Sequence, residues 1–414
     1  MLGSSPILSR LFAPEDFGVA ALLASLAVVP IVLCTGQYYL GIGLEKRQAD
    51  AMSLVVLSLL LALVTSAAMV PVVLGLATQP VFIQSSIGAV ADYLWLIPAF
   101  MLIESTLYVL RFWEVRFARY GSIVRNRLTE SLVMAGAQIT FGVIGLGPIG
   151  LIAGRWLAFF VASVDASISI VRRLNSRLFR VLRVRKLKRC AVEHWRFPIY
   201  QAPATSVSEF GRQGAPILFG VFYSPVTVGL YWFSDRVLQR PSMLLGSNVG
   251  RVFYQKAADI RIGDRRIFPA YWKATGGLAA LCIVPFGVIV VFGPELFSWI
   301  FGAEWYRAGQ FAQWMTLSSF AHVIHFPARS CTALFNLQRL FAIVETCRLI
   351  ASAFAIVAVA YLGGDDLTAV AAFSATQLLI TLLFVVSVGV RLHQADRLQT
   401  GRSQLKPTAS VPPL

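Results

Sequence analysis

Charge is what this sequence has least of. Of 414 residues only 14% are Asp, Glu, Lys or Arg, where soluble domains run near 25%. Acids are the scarcer sign, 20 against 36 bases. With 57% hydrophobic residues and a mean hydropathy of +0.71, this is a polytopic membrane protein and not a soluble one with a large core. Cysteine is sparse as well. Cys34, Cys190, Cys282, Cys331 and Cys347 are scattered, with the spacing of neither a disulfide framework nor a zinc site. Met1 to Pro6 lacks a basic start and an apolar core, so no signal peptide is expected.

The motifs of soluble chemistry are equally thin. Gly145-Leu-Gly-Pro-Ile-Gly150 satisfies G-x-G-x-x-G, but a dinucleotide site needs a preceding strand and a βαβ unit, and here two apolar runs flank it. His322-Val-Ile-His325 has helical i, i+3 spacing, yet two ligands do not make a metal site. Gly363-Gly-Asp-Asp366 is better explained as a turn. There is no Walker motif and no nucleophile–base constellation. The chain is expected to be no enzyme, and to need no cofactor or metal.

Apolar windows long enough to cross a bilayer number eleven, at about 17–40, 51–76, 88–110, 128–146, 148–171, 197–223, 226–252, 271–292, 308–332, 339–362 and 366–390. The fold class is therefore an all-α integral membrane protein. Between the fifth and sixth windows runs the longest basic stretch, Arg172 to Arg196, with ten Lys and Arg in 25 residues. Its apolar flanks make it a cytoplasmic loop and not a nucleic-acid arm. Connections on that same side hold 28 of the 36 Lys and Arg, the opposite side only Arg10 and Arg307, and six lie within spans. The asymmetry puts the basic side in the cytoplasm. The expected organisation is an N-terminal bundle over 1–171, a basic cytoplasmic linker over 172–196, a C-terminal bundle over 197–392, and a disordered cytoplasmic tail over 393–414.

The two halves carry a short repeat. Phe12-Ala-Pro-Glu-Asp-Phe-Gly18 precedes the first span and Tyr223-Ser-Pro-Val-Thr-Val-Gly229 precedes the seventh. Both read aromatic-x-Pro-x-x-x-Gly, with Pro placed for a first helical turn. A full span stands before the second copy and only eleven residues before the first. The parent pattern is then twelve helices in two pseudo-repeated bundles, with the first helix largely missing here. Repeats of this kind mark transporters with a substrate path between the repeats.

Four stretches carry a resemblance to a known family. They are Ser9-Arg-Leu-Phe-Ala-Pro-Glu-Asp-Phe-Gly18, Phe197-Pro-Ile-Tyr-Gln-Ala-Pro203, Gly229-Leu-Tyr-Trp-Phe-Ser-Asp-Arg-Val-Leu-Gln-Arg-Pro241 and Phe292-Gly-Pro-Glu-Leu-Phe-Ser-Trp-Ile-Phe-Gly302. With the span spacing, the chain over roughly residues 8 to 392 resembles the Wzx-type polysaccharide and O-antigen flippases, of the multidrug/oligosaccharidyl-lipid/polysaccharide transporter superfamily. The first and third stretches are the more specific. The resemblance implies two six-helix bundles around a central cavity, working by alternating access. It also implies a substrate and partner, undecaprenyl-pyrophosphate-linked oligosaccharide, flipped across the bacterial cytoplasmic (inner) membrane during synthesis of polysaccharides such as lipopolysaccharide. Membrane lipids and polysaccharide assembly proteins are the other expected partners, and nucleic acid is not one.

Ionisable residues inside spans are costly and are functional candidates by default. Arg212 lies mid-span, and Arg236 and Arg240 share a helix face in the next span. A guanidinium is permanently charged and its planar fork matches phosphate oxygens. The expected substrate-binding set is Arg212, Arg236 and Arg240, with Glu209 and Asp235 balancing or gating them and Arg155 contributing from the N-terminal half. The competing structural account is that the acids neutralise the arginines as buried pairs. Asp165 and Glu104 are further candidates from the N-terminal half, but both lie near the cytoplasmic ends of their spans, where snorkelling to the interface explains them about as well. Glu345 with Arg348 is expected as an i, i+3 structural pair. Alternatives to the flippase are export of another amphipathic substrate or drug, a membrane polymerase or ligase on the same lipid carrier, and a structural subunit without transport.

Overall fold

The computed structural model describes residues 3–79, 87–171, 184–262 and 266–404. Among them stand eleven helices of at least 20 residues, one for each expected span. They are α1 Pro14–Cys34, α2 Gln48–Ala77, α3 Ile97–Arg116, α4 Tyr120–Val143, α5 Pro148–Val171, α6 Ala202–Phe222, α7 Pro225–Ile262, α8 Phe268–Phe301, α9 Tyr306–Leu334, α10 Gln338–Tyr361 and α11 Asp366–Gln404. No strand occurs among the described residues. Twenty helical residues rise about 30 Å, the thickness of a bilayer's hydrocarbon core. Seven candidate spans are long and apolar enough to cross a membrane by length and composition. Leu60, Leu63 and Leu74 on α2, Ile283, Val284 and Val291 on α8, and Leu379 and Leu383 on α11 are exposed. Apolar side chains in such rows face lipid, where helices are tolerated because their backbone polar groups are bonded internally.

The chain folds as two compact units. The first holds Met1–Trp232 with Ile300–Glu304, the second Phe233–Trp299 with Trp305–Leu414. The expected division at 172–196 therefore falls too early, because α6 belongs with the first unit. It packs along α1: a Cβ on Gly220 would meet Leu22 at 2.5 Å, and Thr205 donates to Gln37 Oε1 at 3.3 Å. Of the central basic stretch, residues 172–183 lie outside the described residues. The chain continues from there as a short helix, Val184–Glu193. Its Cys190 is buried in a cluster with Ile42, Met52, Leu54 and Trp113, and burial pushes that thiol up, so it packs as a small apolar group.

In the second unit, Phe253, Tyr271, Cys331, Phe384 and Leu392 form a core, with the Tyr271 hydroxyl donating to the Val385 carbonyl at 2.7 Å. Of the tail expected to be disordered over 393–414, the part up to Gln404 continues α11, and residues 405–414 lie outside the described residues. Asp396 explains part of this. Its buried carboxylate accepts from the amides of Ile267 at 3.2 Å and Phe268 at 2.9 Å, capping the otherwise orphaned start of α8. Prolines within α6 and α7 do not break them. Pro216 lies inside a continuous α6, α7 runs unbroken through position 241, and the irregularity is confined to a π turn at Phe197–Gln201.

The two copies of aromatic-x-Pro-x-x-x-Gly open α1 and α7, and they pack on each other. A Cβ added to Gly18 would lie 1.8 Å from the Pro225 carbonyl oxygen, and one added to Gly229 would lie 1.8 Å from that of Pro14. The contact is reciprocal, as a local two-fold axis requires. It brings Cα–H groups onto carbonyls, a weak attraction of its own. The aromatic of the first copy is held too: Cβ atoms at Gly142 and Gly150 would strike the Phe12 ring at 2.7 and 3.0 Å. These glycines flank the tight α4–α5 turn, where Gly145 and Gly147 take positive φ.

This packing sets two expected outcomes. Gly18→Ala and Gly229→Ala each force two backbones apart, at a cost of about 2 kcal/mol or more. Each is expected to cut the yield of monodisperse protein in detergent, and the double variant to cost little more than either single, as measured by fluorescence-detected gel filtration. Asp396→Ala is expected to lower stability by about 1–2 kcal/mol, read as a reduced melting temperature.

Candidate functional site

Within the first unit, α3, α5 and α6 bring ionisable side chains together. Glu104 on α3 is buried, which an unpaired carboxylate could not be. Its partner is Arg155 on α5, whose Nη2 lies 3.3 Å from Oε2 and 3.5 Å from Oε1. The Tyr108 hydroxyl donates to Oε1 at 3.4 Å. The Arg155 guanidinium also sits 5.3 Å from the Phe159 ring centroid and 6.0 Å from that of Phe100, within cation–π range. Its Nε is buried without a hydrogen bond among the described residues. Arg155 is a third exposed, so its fork is held from one side and open on another.

On α6, Glu209 holds Arg212. The Nε donates at 3.1 Å and Nη2 makes a second, shorter bond to the same oxygen. Arg212 remains 65% exposed. Glu209 lies within electrostatic range of both Tyr39 and Tyr108, as Glu104 and Arg155 do of Tyr108. The first unit thus holds two acid–arginine pairs, Glu104–Arg155 between α3 and α5 and Glu209–Arg212 on α6, with Tyr108 in electrostatic range of both acids. The two pairs differ in what they hold. An exposed i, i+3 pair is worth about 0–1 kcal/mol, so Arg212 can leave Glu209 for another anion at little cost. Breaking the half-buried Arg155–Glu104 pair would strand a buried carboxylate, at about 3 kcal/mol or more. Arg212 is the exchangeable cation and Arg155 the anchored one.

The other expected site residues are on α7 in the second unit. Asp235 and Arg236 are half-buried and both are engaged in interactions. The side chain of Arg240 lies outside the described residues. The second unit has a polar cluster of its own on α9, α10 and α11. Arg348 pairs with Glu345 and donates from Nη1 to Gln377 Oε1 at 2.8 Å. The His322 and His325 rings stand 5.6 Å apart, with His325 Nδ1 2.9 Å from the His322 carbonyl.

Glu104, a sequence candidate for which snorkelling to the interface is the competing account, is buried against Arg155. One residue of this neighbourhood escapes a reading of the sequence. Tyr108 carries no charge to mark it, though its position four residues after Glu104 puts both on one helix face, and a hydroxyl there is a natural second partner for a buried acid. Asp165 likewise does not reach for water alone: it accepts from Asn126 Nδ2 at 3.1 Å and pairs with Arg125 at 3.5 Å.

Set beside known proteins, residues 7–310 match the sequence profile of the polysaccharide biosynthesis proteins. The chain belongs to that family. No curated protein matches it in sequence. Solved structures share the fold of this family member at low identity. An inward-facing multidrug resistance MATE family transporter of the MOP superfamily superposes with a TM-score of 0.65 at 13% identity, over 98% of this chain and 95% of the other. The lipid II flippase MurJ in an inward closed conformation gives 0.62 at 12% identity, over 99% and 91%. A MOP superfamily transporter from Pyrococcus furiosus gives 0.51 at 14%, over 94% and 89%. The polysaccharide biosynthesis protein described here is a multi-pass membrane protein with the all-helical fold of MOP-superfamily transporters.

A double-variant cycle tests the anchored pair. Arg155→Met alone strands the buried Glu104 carboxylate and is expected to destabilise the protein by about 3 kcal/mol. Adding Glu104→Ala should recover part of that loss, and a thermal melt in detergent measures both.

Proposed function

We propose that this protein is a flippase that moves a lipid-linked oligosaccharide, carried on undecaprenyl diphosphate, from the inner to the outer leaflet of the bacterial cytoplasmic membrane for polysaccharide synthesis. It works by alternating access, without a hydrolytic step of its own. The observation that carries this reading is the exposed, exchangeable Arg212–Glu209 pair beside the anchored Arg155–Glu104 pair, in a chain of the polysaccharide biosynthesis family. A diphosphate offers oxygens in the geometry that a guanidinium fork bonds twice, and charge-assisted bonds of this type are about twice as strong as neutral ones. Arg212 would exchange Glu209 for the diphosphate. The half-buried Arg155 would supply a fixed positive field. Asp235, Arg236 and Arg240, on α7 in the second unit, are proposed as substrate contacts of that unit.

A second reading has its own observation. Glu209 is a carboxylate within electrostatic range of Tyr39 and Tyr108, and an acid near aromatics suits an amphipathic organic cation. The two readings separate on one pair of variants. If diphosphate is the ligand, Arg212→Ala is expected to lower glycan export about tenfold or more and Glu209→Gln to leave it near wild type. A cationic substrate reverses the order, with Glu209→Gln the damaging change. The measurement is undecaprenyl-linked glycan on each leaflet in cells lacking the protein and complemented with each variant at matched membrane level. Wild-type leaflet ratios with Arg212→Ala would sink the diphosphate site. No accumulation of inner-leaflet glycan when the protein is absent would sink the flippase.

A further inference from the structure

The short helix Val184–Glu193 presents two unlike faces. One is locked to the first unit: Cys190 is buried in the cluster around Ile42, Met52 and Trp113, with Ala191 beside it. The Tyr38 hydroxyl donates to the Ala191 carbonyl at 3.2 Å. Just beyond the helix, the His194 imidazole meets Glu45 at 2.7 Å. Tyr38 and Glu45 both belong to the segment joining α1 to α2, on the basic side of the membrane, so the height of the helix is set at the cytoplasmic surface.

The other face is cationic. Arg185, Lys188 and Arg189 are exposed and, with Val192 and Glu193, line a shallow concavity. The nearest acid, Glu193, reaches Arg189 at 3.6 Å with both side chains more than half in solvent. Immediately after come exposed aromatic and aliphatic groups: Trp195, Ile199 and Tyr200. Trp195 and Tyr200 lie 5.7 Å apart, and Arg196 sits 6.0 Å from the Trp195 ring. Bulk water would leave these rings uncovered. A surface at once apolar and anionic would cover both halves, and the headgroup layer of a membrane is such a surface.

We propose that this segment lies in the headgroup layer of the cytoplasmic leaflet and binds the phosphate of an anionic phospholipid through Arg185, Lys188 and Arg189, with Trp195, Ile199 and Tyr200 as its apolar anchors. The attraction is short-ranged and screened by salt, as expected for juxtamembrane basic clusters. It concerns the membrane around the protein, and is independent of the substrate that the protein moves.

The test uses the full chain in nanodiscs and the fluorescence of Trp195, isolated by subtracting a Trp195→Phe protein. Brominated phosphatidylglycerol and brominated phosphatidylcholine serve as quenchers in otherwise identical bilayers. Quenching by the anionic lipid is expected to exceed that by the zwitterionic one about twofold, and to fall toward it in high salt. Arg185→Gln/Lys188→Gln/Arg189→Gln should abolish the preference while leaving zwitterionic quenching in place. These side chains are exposed, so the melting temperature should hold; the single Arg185→Gln, expected to weaken the preference, serves if it does not. Equal quenching by both lipids in the wild type, or a preference that survives the triple change, overturns the proposal. So does loss of the anionic-lipid signal on adding a stoichiometric isoprenyl diphosphate, which would make the transported lipid's own headgroup the ligand.

Discussion

Where α1 and α7 begin, two helix backbones touch with no side chain between them, and much of the first unit is arranged about that contact. Gly18 rests on the Pro225 carbonyl and Gly229 on that of Pro14, at matching distances. In a bilayer there is little hydrophobic drive to hold helices together, so close backbone approach at small residues does more of the work than in water. Phe17 stacks near Trp232 across the same junction at 6.2 Å, and Phe12 fills the space left by Gly142 and Gly150. The α4–α5 hairpin is thereby brought onto the α1 entry, and α5 carries Arg155. A packing constraint at one end of the helices thus bears on where a charge stands within them.

The polar neighbourhood of the first unit comes from the cost of placing charge among apolar helices. Glu104 is tolerated because Arg155 reaches both of its oxygens and Tyr108 adds a second donor to Oε1. Arg155 in turn has aromatic faces of Phe100 and Phe159 within reach. That set is over-determined and resists rearrangement. Arg212 has a single acid and an open side, so it is the member of the group that can change partners. The proposed flippase would use both behaviours: a fixed field that attracts, and a contact weak enough to be exchanged and released.

Much of this is legible in the chain itself. All eleven windows emerge as helices of at least 20 residues, and in the seven apolar enough to cross a membrane a helix is one of few ways to satisfy the backbone in lipid. Gly18 and Gly229 stand out as a repeat, yet nothing in a linear motif says that its two copies touch. The unit boundary is misplaced by the sequence because charge marks where a loop is, not what the next helix packs against. α6 comes after the basic linker and still belongs with α1, through Gly220 on Leu22. The ordered stretch after 393 is missed because Asp396, an isolated acid in a polar tail, gives no sign that it caps a helix more than a hundred residues earlier.

Span number, the basic face and the presence of costly arginines were determined by the sequence alone, since each depends on composition within one segment and on the solvent that segment must enter. Pairing was decided only by tertiary structure. Which carboxylate Arg155 meets, whether Arg212 is held or free to exchange, and which helices carry the repeat to its own second copy depend on contacts between residues far apart in the chain. Hydropathy determines that a helix enters the membrane; the close approach of small residues and the pairing of buried charge determine which neighbour it finds there.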